Sequence, residues 1–339
     1  MNTLVHKLRE FFFNKKILVT GGTGSIGEKI VSSLLTYHPK EIVVFSRDDS
    51  RQYLMERKYS QFHNLHFHLG DIRDFSGLEH ATRGMDIVFH AAALKQVPVC
   101  EQNPYEAVKT NVMGSENVIQ ASILNKVKKV INISTDKAVN PTNMMGITKL
   151  MSEKLFHHAN ELKNNSATVF SSVRFGNVIG SRGSVIPLFL DQVKSGQPIT
   201  ITDPKMTRFF MTIPEAITLT LKAAYYSKGG ETFIFKMNAI ELSELGHAIK
   251  EYSKQKGNQE PEVKVIGIRS GEKIYEELVY SYEMEYLMED DELYVIVPPS
   301  YSNSYWHFRP ATITSYRSDQ VKRINQEKMI LLLQNLDSE

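Results

Sequence analysis

The sequence predicts an α/β protein with a doubly wound parallel Rossmann sheet and a smaller, partly interleaved C-terminal substrate domain. Three observations lead to this prediction. Short apolar runs alternate with helical patterns through the first half of the chain, which is typical of a parallel sheet covered on both faces. A glycine-rich turn follows the first apolar run. After about Gly180 the elements become shorter, and four prolines between residues 187 and 214 interrupt them.

Six apolar runs are expected to form the strands of the sheet. In chain order they are Lys16–Thr20, Glu41–Phe45, Leu65–Leu69, Asp86–Ala92, Lys129–Ser134 and Ala167–Phe175. Helical patterns lie between them, at Ile26–Leu35, Asp49–Ser60, Tyr105–Leu124 and Gly146–Leu162. Because parallel neighbours need long crossover connections, this alternation predicts strand–helix–strand units rather than hairpins.

Composition excludes several kinds of partner. The chain has 40 Lys and Arg against 38 Asp and Glu, a net charge of +2. Nucleic acid is therefore not expected as the main partner, because phosphate backbones select a clear basic excess. No apolar run approaches the roughly 20 residues that cross a bilayer, so no membrane insertion is expected. The single cysteine, Cys100, cannot form an internal disulfide, and we expect a reducing, cytoplasmic location.

The segment after the first strand has the spacing of a dinucleotide site. Gly21, Gly24 and Gly27 are three residues apart at a strand–turn–helix junction. The first glycine allows a tight turn, the second lets backbone N–H groups approach a pyrophosphate, and the third lets the helix pack close to the sheet. The positive end of the helix would then face the phosphates.

The end of the second strand favours NADP over NAD. An NAD enzyme usually has an acid there for the ribose 2′-hydroxyl, whereas this chain has Ser46 and Arg47, which suit a 2′-phosphate. Asp71 after the third strand is expected at the adenine, and the small side chains after the fourth strand should let a cofactor lie against the backbone. The full set of expected cofactor residues is Gly21, Thr23, Gly24, Ser25, Ile26, Gly27, Ser46, Arg47, Asp71, Ile72, Ala91, Ala92, Ala93, Asn111 and Lys149.

The segment after the fifth strand resembles the extended short-chain dehydrogenase/reductase superfamily. Thr135-Asp136-Lys137 ends the strand, and Lys149 on the next helix occupies the Lys of that superfamily's Tyr-x-x-x-Lys motif. The usual Tyr is a base whose pKa the Lys lowers. Here the Tyr position holds Met145, which has no exchangeable proton.

The Thr-Asp-Lys triplet looks like that of the inverting UDP-N-acetylglucosamine 4,6-dehydratases of capsule and O-antigen polysaccharide biosynthesis. Other stretches are similar to the same family, at Ala93–Pro98, Arg174–Pro187, Thr202–Phe209 and Arg269–Lys273. The resemblance implies NADP-dependent loss of water across C5 and C6 of the UDP-sugar, with inversion at C5. Its product would be a UDP-2-acetamido-2,6-dideoxy-hexos-4-ulose.

The resemblance also implies roles for individual residues. Lys137 is expected as the C5 base, with a pKa depressed by burial near another cation, and Asp136 as the acid that protonates the departing hydroxyl. Because Met145 cannot accept the C4 hydroxyl proton, that step falls to Lys149 or Lys137, or to a relay through Thr135. The residues expected to bind the UDP-sugar are Lys95, Asn177, Arg182, Ser184, Thr202, Arg208, Arg269, Glu272 and Lys273. No metal site is expected.

The sequence suggests four regions. Residues 1–13 form an amphipathic lead-in helix, and residues 14–180 form the NADP-binding Rossmann domain. Residues 181–282 form the substrate-binding region, part of which is expected to return to the sheet, and residues 283–339 form a C-terminal extension. The lead-in helix and the extension are plausible contacts of a homo-oligomer. Two alternative functions stay open, a UDP-sugar 4-epimerase and a catalytically silent NADP-binding sensor.

Overall fold

A computed structural model describes residues 2–162, 164, 167–257, 260–298 and 307–336. Its strands are β1 Lys16–Thr20, β2 Glu41–Ser46, β3 Leu65–Leu69, β4 Ile87–His90, β5 Lys129–Ile133, β6 Val169–Arg174, β7 Asn177–Val178, β8 Ile199–Ile201, β9 Thr207–Met211, β10 Thr232–Phe235, β11 Asn238–Glu241, β12 Val263–Val265, β13 Leu287–Glu289, β14 Leu293–Ile296 and β15 Arg309–Pro310. Its helices are α1 Asn2–Phe12, α2 Ser25–Leu35, α3 Asp49–Lys58, α4 Phe75–Thr82, α5 Val97–Gln102, α6 Pro104–Ala107, α7 Gly114–Leu124, α8 Met144–Ala159, α9 Val185–Lys194, α10 Ile213–Tyr226, α11 Leu242–Gln255 and α12 Gln326–Leu336.

The central sheet has the order β15-β13-β14-β10-β6-β5-β4-β1-β2-β3 across the described residues. From β3 to β10 every neighbouring pair is parallel, and β14, β13 and β15 extend one edge antiparallel. The order reverses between β1 and β4, where open α/β sheets place their ligands. The predicted α/β class with a parallel central sheet is confirmed.

Strand β1 shows how the sequence covers both faces of the sheet. Ile17 and Val19 belong to one apolar cluster, whereas Leu18 between them belongs to another. Helices α2 and α10 pack over the first cluster, and α4, α7 and α8 cover the second. Because successive strand side chains point to opposite faces, a run that is apolar throughout requires helices on both sides.

A third apolar cluster forms the core of the smaller, substrate-side unit. Helices α9, α11 and α12 supply most of it, together with β8, β9 and β11. Two small sheets support it, one with the order β11-β9-β7 and one that pairs β12 with β8. Between these elements the chain returns to the central sheet, through α10 and β10.

The C-terminal segment differs from the extension that we expected for residues 283–339. Strands β13 and β14 join the central sheet, and α12 buries Met329 and Leu333 against the third cluster. Asp290, Asp291 and Glu292 form the turn between β13 and β14, where the Asp290 carboxylate accepts hydrogen bonds from the Glu292 and Leu293 amides. The residues from Pro299 to Ser304, part of the same expectation, lie outside the described residues.

Helix α1 packs on its own domain. Leu8 and Phe12 are buried in the first cluster, and the Lys129 ammonium lies 5.0 Å from the centre of the Phe11 ring. The same ammonium donates to three carbonyl oxygens at the end of α10, those of Ala224, Tyr225 and Ser227. Within the described ranges, no helix is long and apolar enough to cross a membrane.

A buried ion triad joins β6 to two other parts of the fold. The Arg174 guanidinium, 1% exposed, donates to the carboxylates of Glu153 in α8 and Glu283 after β12. Removing the guanidinium would leave two buried carboxylates without their partner. Arg174→Ala should therefore destabilise the fold by about 3–5 kcal/mol, measured by urea unfolding.

Arg83→Ala is the matched control for this measurement. Arg83 pairs with Glu79 in a bidentate contact, but its side chain is 60% exposed. Exposed pairs contribute little to stability because water screens them, so the control should unfold close to the unmodified protein. Equal losses in the two variants would contradict the proposed importance of the buried triad.

Candidate active site

The glycine-rich turn forms a cradle that side chains would fill. Gly21 has a φ of +65°, and a Cβ there would lie 2.7 Å from the Ala92 backbone. A Cβ on Gly27 would lie 2.3 Å from the Gly21 carbonyl oxygen. The Gly24 amide donates to that same oxygen at 2.9 Å, which closes the turn ahead of α2. The space left free matches the backbone approach that a dinucleotide pyrophosphate needs.

A cleft of about 360 Å³ extends from this turn past the ends of β2 and β3. Thr23, Phe45, Ser46 and Ile72 are among the residues that line it. Arg47 and Arg51 also line it, and the sequence analysis missed Arg51. Arg51 lies in the first turn of α3, where Asp48 caps the helix and pairs with the Arg51 guanidinium at 3.2 Å.

Asp71 lines the same cleft, but its carboxylate is already engaged. Arg73 donates to it through Nε and through its terminal nitrogen, and Arg47 lies 3.9 Å away. Burial alone would raise the pKa of Asp71, but the hydrogen bonds and charge of Arg73 outweigh it and lower the pKa. The carboxylate therefore holds Arg47 and Arg73 beside the cleft and retains lone pairs for a ligand amino group.

The small residues after β4 connect this cleft to a larger one. Ala91 and Ala93 line both clefts, and Ala92 lines the first. Asn111, expected to contact the cofactor, lies behind this segment instead. It is 1% exposed, and its amide group exchanges hydrogen bonds with the Leu94 backbone at 2.8 and 2.9 Å. Asn111 belongs to a π-helix, Val108–Met113, within the expected continuous helix, and this wider turn brings its side chain to Leu94.

The larger cleft has a volume of about 660 Å³ and lies between the sheet and the substrate-side unit. Of the expected site residues, it is lined by Ile26, Ala91, Ala93, Lys95, Thr135, Lys137, Met145, Lys149, Asn177, Ser184, Arg208, Arg269 and Glu272. Three expected substrate residues, Arg182, Thr202 and Lys273, are not part of its lining. Thr202 is buried and donates to the Met206 sulfur, and Arg182 donates to the Thr23 carbonyl and the Ser25 hydroxyl at the glycine turn.

Asp136 and Lys137 differ in their access to the cleft. Lys137 lines it, whereas Asp136 is fully buried and is not part of the lining. Lys137 Nζ donates to Asp136 Oδ1 at 2.9 Å, and the Thr135 hydroxyl donates to the same oxygen at 2.9 Å. Asp136 Oδ2 accepts no hydrogen bond from the described residues and lies close to Gly176. This geometry makes Asp136 a support for Lys137 rather than a direct contact for a ligand.

The expected depression of the Lys137 pKa is not observed. Burial lowers the pKa of this amine, but the carboxylates of Asp136 and Glu276 more than compensate and raise it above its usual value. Glu276, which the sequence analysis missed, lines the cleft with its Oε1 3.7 Å from Lys137 Nζ. The sequence feature that could have indicated Glu276 is the set of three cations, Lys137, Arg208 and Lys273, which need a buried counter-charge.

Lys149, rather than Lys137, has a depressed pKa. Burial lowers the pKa of Lys149 to about 8, and its amine donates to the Ile133 carbonyl at 2.7 Å. Met145, one helical turn earlier, is also in the cleft wall and packs with Cys100. Near pH 8 a large fraction of the Lys149 amine is neutral and can accept a proton.

A loop after β12 closes the cleft over the segment between β5 and α8. The Thr142 hydroxyl and the Asn143 amide donate to the Gly271 carbonyl oxygen, and Lys273 Nζ donates to the Val139 carbonyl oxygen at 2.7 Å. The loop thereby brings Arg269 and Glu272 to the rim. Burial and the charge of Arg182 lower the pKa of Lys95, another residue of the cleft lining, as expected for two neighbouring cations.

Taken together, the parallel sheet, the glycine cradle and the lysines beside a cleft at the strand ends define a Rossmann-fold enzyme of the short-chain dehydrogenase/reductase type. The chain belongs to the polysaccharide biosynthesis protein family, whose model matches residues 17–298. The short-chain dehydrogenase/reductase class includes nucleotide-sugar epimerases and dehydratases.

Individual relatives match over nearly their whole lengths. A protein of Methanocaldococcus jannaschii called an uncharacterised membrane protein is 44% identical over 332 residues, which span 97% of this chain and 98% of that protein. A Rickettsia felis protein called UDP-glucose 4-epimerase is 42% identical over 96% of this chain and 97% of its own length. The solved structure of Pen from Bacillus thuringiensis has a TM-score of 0.91 and 43% identity, covering 96% of this chain and 99% of that one.

A more distant solved structure shows the shared fold. DesIV, the dTDP-glucose 4,6-dehydratase of Streptomyces venezuelae, determined with NAD and TYD bound, has a TM-score of 0.69. It is 20% identical and covers 76% of this chain and 86% of its own.

Proposed function

We propose that the protein is an NADP-dependent UDP-N-acetylglucosamine 4,6-dehydratase that inverts C5, and that its product serves bacterial surface polysaccharide biosynthesis. One observation carries the proposal. Lys137 lines the cleft, and its amine lies 2.9 Å from Asp136 and 3.7 Å from Glu276, while the position of the usual Tyr base holds Met145. An epimerase of this superfamily needs a base at C4 alone, whereas a dehydratase also needs a proton carrier at C5 and C6.

The residues present fit a bound dinucleotide. Gly21, Gly24 and Gly27 leave the backbone free for the pyrophosphate, and Ser46 with Arg47 would hold the ribose 2′-phosphate. Arg51 adds a second guanidinium to the same place. The chemistry that a bound nicotinamide supplies is reversible hydride transfer, which makes C4 a ketone and acidifies the C5–H bond.

The preference for NADP gives a binding prediction. Arg47→Ala should weaken NADP binding about 10- to 100-fold, because one charge-assisted hydrogen bond to a phosphate contributes about 1.5–3 kcal/mol. NAD binding should change little. Calorimetric titration of both nucleotides measures the difference.

Arg57→Ala is the control for this titration. Arg57 is on α3, the helix that follows Arg47 in the chain, but lies over the Tyr53 ring outside the cleft lining. It should leave both affinities unchanged. An equal loss of NAD and NADP affinity in Arg47→Ala would argue that Arg47 stabilises the cleft but does not bind the 2′-phosphate.

In the proposed mechanism, Lys149 accepts the proton of the C4 hydroxyl. Its pKa of about 8 leaves it partly neutral near neutral pH, whereas the raised pKa of Lys137 keeps that amine charged. Of the groups left open for this step, Lys149 therefore fits best. Met145 packs against the sugar and takes no part in proton transfer.

Lys137 then carries the proton during water loss. Its ammonium donates a proton to the C6 oxygen, which departs as water, while the C5–H electrons form the C5–C6 double bond. The C5 proton passes to the freed amine, so Lys137 ends the step protonated as it began. Asp136 holds the amine by the 2.9 Å hydrogen bond, a positioning role that replaces the acid role expected from the sequence. Inversion requires the proton that later returns to C5 to arrive on the opposite face.

The diphosphate of the substrate would face the cationic side of the cleft. Lys95, Arg208 and Arg269 line this side, and Asn177 and Ser184 offer neutral hydrogen-bonding groups. Arg182 would act from the glycine turn, where it lies between the two ligand sites. Guanidinium groups suit phosphate oxygens because they bind in a paired geometry.

The test is incubation with UDP-N-acetylglucosamine in D2O, followed by mass spectrometry and NMR. We expect a product lighter by one water, with deuterium at C5 and inverted configuration there. The name of the Rickettsia relative favours a second candidate, a UDP-sugar 4-epimerase, and that activity would give a product of unchanged mass. NADP binding without turnover would indicate a silent sensor and would also reject the proposal.

A further inference from the structure

Glu276 is a buried carboxylate in the cleft wall that the proposed mechanism leaves without a role. Its side chain is 4% exposed, and Oε1 lies 3.7 Å from Lys137 Nζ. On the other side of the same amine, Asp136 lies behind the cleft lining. Lys137 is thus held between a carboxylate of its own strand end and one from a loop that arrives much later in the chain.

Three cations converge on Glu276 from three different parts of the fold. Lys137 follows β5, Arg208 belongs to β9, and Lys273 belongs to the loop that closes the cleft. The Arg208 guanidinium lies 3.9 Å from Oε1, and the Lys273 amine lies 3.3 Å from Oε2. The carboxylate therefore links the Rossmann sheet to the substrate-side unit at the point where the reaction is proposed to occur.

The C-terminal segment fixes the backbone of Glu276. The Glu276 amide donates to the Ser318 hydroxyl at 2.9 Å, and the Ser318 amide donates to the Glu276 carbonyl at 2.9 Å. Ser318 is fully buried, and its hydroxyl also contacts the Thr207 side chain at 2.7 Å. Since Thr207 precedes Arg208, one serine positions both Glu276 and a cation that faces it.

We propose that Glu276 is a positioning residue for Lys137 and that Ser318 holds Glu276 in place, which makes the C-terminal segment part of the active site. The proposal deepens the proposed function, on which it rests. The carboxylate keeps the amine of Lys137 charged and fixes its position in the cleft, so that it can donate to the C6 oxygen.

The expected consequence follows from the charges that face Lys137. Asp136 and Glu276 stabilise its ammonium form, and Arg208 opposes it. Glu276→Gln removes one of the two anions and preserves the size of the side chain. The ammonium then loses a proton more easily, so the titration midpoint of Lys137 should fall by about one pH unit or more.

Competitive acetylation measures this midpoint without requiring any substrate. The full-length protein is labelled with limiting acetic anhydride from pH 7 to 12, and mass spectrometry reads the extent of labelling at Lys137. Glu276→Gln should shift the midpoint down, and Ser318→Ala should shift it in the same direction by a smaller amount. Glu277→Gln is the matched control, because the Glu277 carboxylate accepts from Asn140 and does not line the cleft.

An activity measurement accompanies the labelling. Glu276→Gln should lower kcat about tenfold or more and leave KM within about threefold, and Glu276→Asp should recover part of kcat by restoring the charge. Circular dichroism and thermal unfolding identify a variant that fails to fold, in which case Ser318→Ala and Glu276→Asp decide the result. For both of these variants, the measured quantity is the titration midpoint of Lys137.

Two failures are distinguishable in this design. If the unmodified protein does not dehydrate the sugar, the proposed function is wrong, and the labelling still reports on Lys137 and Glu276. If the unmodified protein is active but Glu276→Gln keeps its Lys137 midpoint and its kcat, the positioning role is overturned and the proposed function stands.

Discussion

Replacing Lys137 with alanine is expected to abolish both water loss and C5 exchange. In the proposed mechanism a single amine donates the proton to the departing C6 oxygen and accepts the proton from C5, so no partial reaction remains. Loss of a positioned acid–base group lowers rates about 10²- to 10⁴-fold. NMR in D2O measures dehydration and C5 labelling together.

Met145→Ala is the contrasting variant. Met145 lines the same cleft but has no exchangeable proton, so its loss should change packing more than chemistry. We expect activity within about tenfold of the unmodified protein. Rapid C5 labelling by Lys137→Ala would exclude Lys137 as the C5 base, and complete inactivity of Met145→Ala would show that the thioether has a role beyond packing.

Gly21→Ala is expected to abolish cofactor binding. The added Cβ would meet the Ala92 backbone at 2.7 Å and the Ala91 backbone at 2.9 Å, and the residue would keep a φ of +65°. Neither neighbour is a flexible side-chain end, so the turn or the segment after β4 must move. Because both segments line the proposed nucleotide site, we expect a loss of NADP affinity of about 100-fold or more and a lower melting temperature.

Gly84→Ala separates backbone strain from this collision. Gly84 has a similar φ of +70°, but a Cβ there would have no described atom within 4 Å. That variant should lose about 1–2 kcal/mol of stability from the left-handed backbone and keep its NADP affinity. If both variants bound NADP normally, the glycine turn would not be the pyrophosphate site. Equal losses of affinity would point to a general effect of strain.

Local patterns were sufficient to predict the sheet and the position of the site. The alternation of apolar runs and helices gave β1 to β6 close to their observed bounds, because strand and helix periods differ within a few residues of sequence. The glycine spacing located the turn for the same reason. Lys149 and Met145 could be placed on one helix face because residues four apart on a helix are neighbours.

The tertiary structure decided what depends on contacts between distant segments. It placed Lys137 in the cleft and Asp136 behind it, although the two are adjacent in sequence. It also brought Glu276 to Lys137, which reversed the expected direction of the lysine pKa shift. Electrostatic effects of this kind depend on separation in space and on burial, neither of which a local sequence pattern contains.

The C-terminal segment illustrates the same division. From residue 283 onward the sequence predicted a separate C-terminal extension, because the apolar run of β14 is only four residues long. The edge of the sheet at β10 provides β14 with antiparallel hydrogen-bond partners. Ser318 can be buried because its hydroxyl forms hydrogen bonds with the Glu276 amide and the Thr207 side chain. The sequence by itself determined the class of fold, the glycine turn and the strand end that carries Asp136 and Lys137. Only the folded chain decided which charges meet there, because the free energy of a buried ion pair depends on its distance and its partners.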